Sequence, residues 1–398
     1  MIRLENLKLV TAGGIKENCS VLIDGDKIAR CGTEKISEPA EVIDLKGNYL
    51  SAGFIDLHVH GGGGSSFMDE SREDFISVIK YHESQGTLNL MPTALTAPRS
   101  ELNAFLDIYT DIKENSGVSD NLLGAHMEGP YLNSAKCGAQ NGDLCALPSI
   151  NGISLFLDRC PYIRRFTLAP ELDEGFRAAR FLKERGILVS AGHTDALYDV
   201  MKEALCSGYE MITHMYAAMN GLEKVNGFRR AGAVEAILLN DDVYVELIAD
   251  GKHLPAPVIE LVYRIKGKDR VILVSDAMRA TGTDCRESFL GKKEEKNRVI
   301  IEDGVAKMKN KGCLAGSITP LNKMAAFVYK NTGIALFDII SMITETPAKI
   351  CGAWNRLGSV SEGKYADLVV FDEDINVLLT IKRGRVKVTG VEPRPLTS

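Results

Sequence analysis

Apolar residues follow one spacing at the two ends of the chain and another between them. In the first fifty residues, segments such as LKLVTAG, CSVLIDGDKIARCG and AEVIDLKGNYLSAG alternate apolar with polar positions and break at Gly and Asp. That is the pattern of strands joined by hairpin turns. The C-terminal stretch GSVSEGKYADLVVFDEDINVLLTIKRGRVKVTG has the same texture. In the middle, segments with apolar residues three and four apart alternate with short runs rich in Val, Ile and Leu. DEGFRAARFLKERG precedes ILVSAGH, DALYDVMKEALCSG precedes MITH, and APVIELVYRIKGKD precedes VILVSDA. Such alternation predicts βαβ units around a parallel sheet. The expected architecture is α/β: a (β/α)8 TIM barrel over residues 53–355, with a small β-sandwich domain formed from both chain ends, residues 1–52 and 356–398. A doubly wound open sheet is the competing arrangement.

Composition narrows the function classes. With 398 residues, 45% hydrophobic and 25% charged, the chain has ordinary globular usage. No run approaches the ~20 apolar residues of a membrane span. The opening MIRLENLKLVTAGG lacks the cationic start and apolar run of a signal peptide. The expectation is a cytoplasmic protein with no membrane partner. The formal charge of -6, without a basic tract, excludes nucleic acid as the natural partner, so an anionic substrate would need a few local cations. Nine cysteines, an odd number without a C-x-x-C pair, argue against a disulfide framework and a zinc ribbon. They are expected to be small buried apolar residues.

Seven histidines carry most of the chemical information. His58 and His60 end the apolar segment GFIDLHVH and run into four glycines. Residues two apart on a strand point the same way, so both rings can face one metal, and the glycines let backbone and substrate approach closely. Glu128 in LLGAHMEGP, His193 after ILVSAG, His214 after MIT and Asp276 in VILVSDA stand at the ends of later strand candidates. A barrel delivers the C-terminal ends of its strands to one face, so these residues would converge on one pocket. Imidazole with carboxylate and no thiolate suits a divalent zinc, iron, manganese, cobalt or nickel ion. His82, in the amphipathic EDFISVIKYHESQG, is expected to face solvent. His126 is left without a role, and Met215 and Tyr216 read as core.

The ordered set GFIDLHVHG, HMEGPYLN, AGHTDA, THMYAAMN, ADGKH, SDAM and LAGS resembles the N-acetylglucosamine-6-phosphate deacetylases of the amidohydrolase superfamily, over essentially the whole chain. The resemblance implies hydrolysis of the acetamide of an N-acetylhexosamine 6-phosphate, with one or two metal ions per subunit. It implies that Glu128, His193 and His214 bind the principal ion, that His58 and His60 can hold a second, and that Asp276 is general base and acid. Asp250, His253, Leu314, Ala315 and Gly316 would belong to the sugar pocket, Ala139 and Gln140 to the carbonyl end, and Ala217 and Ala218 to the phosphate end. Arg229, in VNGFRRAGA, would grip the phosphate from a neighbouring subunit, which makes a homodimer or higher homo-oligomer part of the expectation. Two positions depart from the commoner family pattern: Gln140 stands where many members have His, and Ala217 where the family usually has Asn. The alternatives are the galactosamine epimer of the substrate or a cyclic amide.

Overall fold

The computed structural model describes residues 1–34, 36–310 and 312–388. Eight parallel strands form the central sheet: β1 (Phe54–Val59), β2 (Thr87–Ala94), β3 (Ala125–Glu128), β4 (Ile163–Leu168), β5 (Leu188–Ala191), β6 (Met211–Ile212), β7 (Tyr244–Ile248) and β8 (Val271–Val274). They pair in sequence order from β1 to β8. The seam between first and last strand is drawn together where the Asp276 N–H donates to the His58 carbonyl at 3.0 Å and the Asp56 carboxylate accepts from the Ser275 N–H at 3.2 Å. Every residue of β1, β2 and β8 is buried, as strands covered on both faces must be.

A helix follows each strand: α1 (Arg72–Ser84), α2 (Arg99–Asn115), α3 (Ile150–Arg159), α4 (Arg177–Lys183), α5 (Tyr198–Cys206), α6 (Ala233–Leu238), α7 (Ala256–Lys266) and α8 (Leu321–Asn331). On α2 the buried residues are Leu102, Phe105, Leu106, Tyr109 and Ile112, one stripe at helical spacing. Burying each large apolar side chain contributes ~1.5–3 kcal/mol, so such stripes fix the helices to the sheet. Among the described residues no helix is long and apolar enough to cross a membrane.

The two ends of the chain share one sheet. Leu368–Phe371 pairs antiparallel with Tyr49–Ala52, and that contact joins the N-terminal strands to the C-terminal hairpins. Leu4, Leu7, Val21, Ile23, Leu50, Leu368 and Ile381 fill a core separate from that of the barrel. The sequence reading did not anticipate a three-stranded antiparallel sheet between β8 and α8, made of Glu287–Phe289, Arg298–Glu302 and Val305–Met308. Its signal was present. Asp303 and Gly304 both hold positive φ in a two-residue hairpin loop, the conformation for which Asp-Gly is favoured.

Candidate active site

The strand ends deliver their side chains by a repeated local device. His193, His214 and Asp276 each lie two residues beyond the end of β5, β6 and β8, and all three hold left-handed backbone, with φ of 48°, 30° and 45°. Few non-glycine residues adopt this region, and they do so where surrounding bonds impose it. Here the His193 carbonyl accepts from the Asn133 N–H at 3.0 Å, and the next residue after His214, Met215, donates its N–H to the Glu246 carbonyl at 2.8 Å. Glu128 ends β3, and the following Gly129 has φ of 105°, where a Cβ would stand 2.1 Å from the Thr96 hydroxyl. Only glycine fits that turn.

Glu128 is the centre of the cluster. One oxygen lies 3.1 Å from His193 Nε2, 3.0 Å from His214 Nε2 and 3.4 Å from His58 Nε2; the other lies 3.2 Å from His60 Nε2. Asp276 Oδ1 lies 3.2 Å from His60 Nε2 and 3.6 Å from His58 Nε2. All of these groups are buried. Two metal-compatible trios result, His58, His60, Glu128 and Glu128, His193, His214, sharing the carboxylate.

The donor chemistry fits a cation. His60 Nδ1 lies 3.1 Å from the Thr93 carbonyl and His193 Nδ1 2.9 Å from the Lys136 carbonyl. A carbonyl only accepts, so both Nδ1 atoms carry the hydrogen and both Nε2 atoms of the neutral rings present lone pairs. Those Nε2 atoms face others at 3.1 Å, His58 to His60 and His193 to His214. Converging lone pairs repel unless a positive charge lies between them. Burial resists charge on both rings of the H-x-H pair, yet Glu128 and Asp276 carry His58 well above its ordinary value, and Asp276 with Glu128 brings His60 up to about 9. The H-x-H pair thus demands positive charge, which a metal ion supplies more compactly than protons.

Beneath the imidazoles lies a polar floor that the sequence reading missed. Arg165 on β4 is fully buried and donates to the Glu246 carboxylate on β7, to the Thr213 hydroxyl at 2.9 Å, to the Ser190 hydroxyl at 2.8 Å and to the Leu57 carbonyl at 3.1 Å. Burial opposes the charge on Glu246, but Arg165 prevails and holds that carboxyl down to about 2. His126 sits in the same layer, between the hydroxyls of Thr93 and Thr167, with burial and then Arg165 holding its pKa well below the ordinary value. The available signal was a charged residue at an inward position of a buried strand, Arg165 in YIRRFTL and Glu246 in YVELI.

His82 corrects its expectation. It is buried, not solvent-facing, and its Nε2 donates to the Gly61 carbonyl at 3.0 Å; burial pushes its pKa down to about 4. The glycines after His60 make their close approach there, since a Cβ on Gly62 would lie 2.7 Å from Tyr81 and 2.8 Å from His82. The cysteines are also less uniform than expected: Cys19 and Cys160 are buried, Cys206 is exposed and the rest are half-buried, all as free thiols.

Above the cluster opens a cavity of about 390 Å³. Ala139, Gln140, Ala217, Ala218, His253, Leu314 and Gly316 line it, together with His60, Glu128, His193, His214 and Asp276. Met215, buried in the barrel core as expected, and Tyr216, packed against that core, also line it. His58 lies behind that wall, Asp250 reaches it through His253 Nδ1 at 2.8 Å, and Ala315 is buried with its N–H on the Ala306 carbonyl. Gln140 accepts from the Thr96 N–H at 2.6 Å and donates to Glu128 at 2.7 Å. Arg229 is not brought to the cavity of its own chain. It stands exposed on the hairpin Glu223–Val225 and Phe228–Arg230, whose Asn226-Gly227 loop is a second positive-φ turn. Lys136, unremarked in the sequence, lines the wall and is bonded to Asn220 and paired with Asp195 at 3.2 Å.

Comparison with known proteins adds an independent line. The model of the amidohydrolase family matches residues 49–387. An N-acetylglucosamine-6-phosphate deacetylase of Bacillus subtilis (strain 168) is 32% identical over 395 residues, 98% of each chain. An N-acetylgalactosamine-6-phosphate deacetylase of Escherichia coli O157:H7 is 30% identical over 85% of this chain and 88% of its own. Among solved structures, N-acetylglucosamine-6-phosphate deacetylase from Pasteurella multocida superposes with a TM-score of 0.89 at 32% identity, covering 97% of this chain and 99% of that one.

Proposed function

The chain belongs to the amidohydrolase family, and from that premise we propose that it is a metal-dependent deacetylase converting N-acetyl-D-glucosamine 6-phosphate to D-glucosamine 6-phosphate and acetate. The observation that carries the reading is the convergence of four imidazoles and two carboxylates at the base of one cavity of sugar-accommodating size. The relatives of both epimeric names keep the galactosamine substrate as the alternative.

Amides resist hydrolysis because the carbonyl is a poor electrophile and the amine a poor leaving group. In the proposed site Glu128, His193 and His214 hold the principal divalent ion, and His58 and His60 with Glu128 can hold a second. When bound there, such an ion polarises a carbonyl and lowers the pKa of water toward ~7. The donor set is compatible with zinc, iron, manganese, cobalt or nickel. Asp276 stands at the cavity wall with its carboxylate turned toward the cluster. It takes the proton of the attacking water and then delivers it to the departing nitrogen, which leaves as a neutral amine. Gln140 keeps its carbonyl on Thr96 and sets its amide nitrogen 2.7 Å from Glu128 and 3.5 Å from His193 Nε2, and from that place beside the cluster the amide would help hold the oxyanion. His253, oriented by Asp250, lines the cavity and would face the sugar there.

At the phosphate end Ala217 and Ala218 leave room but no side-chain donor. The proposed grip is Arg229 from a second subunit, whose guanidinium can form two parallel charge-assisted hydrogen bonds to a phosphate. Its exposed hairpin supports that reading, since an arginine that served its own cavity would lie along the wall. A substrate panel tests the function: acetate release is expected from N-acetylglucosamine 6-phosphate, with a slower rate on the galactosamine epimer and none on a cyclic ureide. Turnover of the ureide alone would replace the reading by another amidohydrolase reaction.

A further inference from the structure

We infer that the buried Arg165–Glu246 pair positions His58 as a metal ligand, fixing its tautomer for the His58, His60, Glu128 trio; the inference rests on the reading of that trio as the second ion site. Glu246 has two oxygens with different duties. Oε1 accepts from Arg165, while Oε2 lies 3.3 Å from His58 Nδ1. A carboxylate held ionised by a guanidinium can only accept, so the hydrogen of His58 is kept on Nδ1 and the Nε2 lone pair turns toward His60 and Glu128. His60 and His193 reach the same state through backbone carbonyls, Thr93 and Lys136. His58 has a side chain in that role, so its ligand state depends on a second residue and can be changed by mutation.

The setting supports a positioning duty over mere barrel filling. From β4, Arg165 spends its donors on four residues around the barrel: Leu57 of β1, Ser190 of β5, Thr213 just beyond β6 and Glu246 of β7. The Leu57 carbonyl belongs to the residue immediately before His58. A buried ion pair is weak support for stability, because apolar residues of similar volume often serve a core as well. What apolar residues cannot do is accept the His58 Nδ1 hydrogen. Glu246 Oε2 also accepts the His214 N–H at 3.3 Å, but that loop has a further anchor, the Met215 N–H on the Glu246 backbone carbonyl at 2.8 Å, which side-chain substitution leaves in place. The two ion sites should therefore respond unequally.

The test uses full-length protein titrated with cobalt(II), reading ions per chain by elemental analysis, the affinity of each ion, and the melting temperature. The variants are the paired replacement Arg165→Met with Glu246→Leu, the conservative Glu246→Gln, and His58→Ala as the reference for the second site. Loss of an outer hydrogen-bond partner typically weakens metal binding ~10- to 100-fold, and that fall is expected for the second ion in the paired variant, with the first ion changed only a few-fold. Glu246→Gln, whose amide oxygen still accepts from Nδ1, should fall between the paired variant and wild type. It also carries the test if the paired variant fails to fold. Wild-type affinity for the second ion in the paired variant, or in Glu246→Gln when that is the one that folds, overturns the proposal. Equal weakening of both ions together with a lower melting temperature also overturns it, because that is what a purely structural pair gives. If His58→Ala keeps the wild-type ion count, the second-site reading falls and takes this inference with it. If His58→Ala loses the ion and the paired variant keeps it, only the positioning role is wrong.

Discussion

At the bottom of the cavity Glu128 touches four imidazoles of its own chain, and the rings of His58, His60 and His193 are each held from behind by Glu246, Thr93 and Lys136. At the rim the arrangement is the reverse. Ala217 and Ala218 offer methyl groups, and Arg229 stands on an exposed hairpin beside Phe228, which is 77% exposed. In the proposed reading the deep end does the chemistry, and its groups all come from one chain, as suits reacting groups that must be held within fractions of an ångström. The rim, in the same reading, recognises the anionic group, and Arg229 of a second subunit would supply a guanidinium there. Damage to the deep end should abolish turnover on any substrate, whereas damage to the rim should be visible only when the substrate carries phosphate.

The largest effect is expected from His193→Ala, which removes a ligand shared with no other trio. Turnover should fall to the detection limit and the bound metal should drop in parallel. A variant with full metal content and full activity would remove His193 from the site. Asp276→Asn comes next. It keeps shape and metal but cannot take a proton, and general acid and base work contributes typically ~10²- to 10⁴-fold, so kcat should fall by that factor or more. Near-normal kcat with metal retained would exclude the role. Smallest, and the one that separates the two ends, is Arg229→Ala. Truncating one partner of a buried charge pair costs roughly 2–5 kcal/mol, so kcat/KM for the 6-phosphate should fall by the corresponding ~30- to several-thousand-fold. The unphosphorylated sugar should be almost unaffected. Equal losses on both substrates would mean that the hairpin matters to assembly or folding alone.

The same contrast runs through what was legible in the sequence. The six groups at the strand ends could be named in advance because each interrupts an apolar run with a polar residue at its C-terminal end, and a parallel barrel sends all such ends to one face. Arg165 and Glu246 were harder to see. They lie inside their strands and not at the ends, and their meaning depends on partners 81 residues apart in the chain. His82 was misjudged because its helix, α1, is amphipathic, but the glycine loop after His60 folds back onto the helix and covers it. The small sheet between β8 and α8 was lost among charged residues although its Asp-Gly turn was in view. Local pattern specifies elements well; which buried polar groups meet across the barrel is decided by tertiary register.

The central claim, that the cluster around Glu128 is a metal site that deacetylates an amino sugar phosphate, is tested most directly by following acetate and free amine together. The enzyme would be stripped with a chelator, then reloaded with one divalent metal at a time, with N-acetylglucosamine 6-phosphate as substrate. The account predicts no turnover from stripped protein, recovery on adding metal, and one acetate for each glucosamine 6-phosphate formed. Undiminished turnover by protein shown to be free of metal, or reloaded protein that binds metal and releases no acetate, would contradict it.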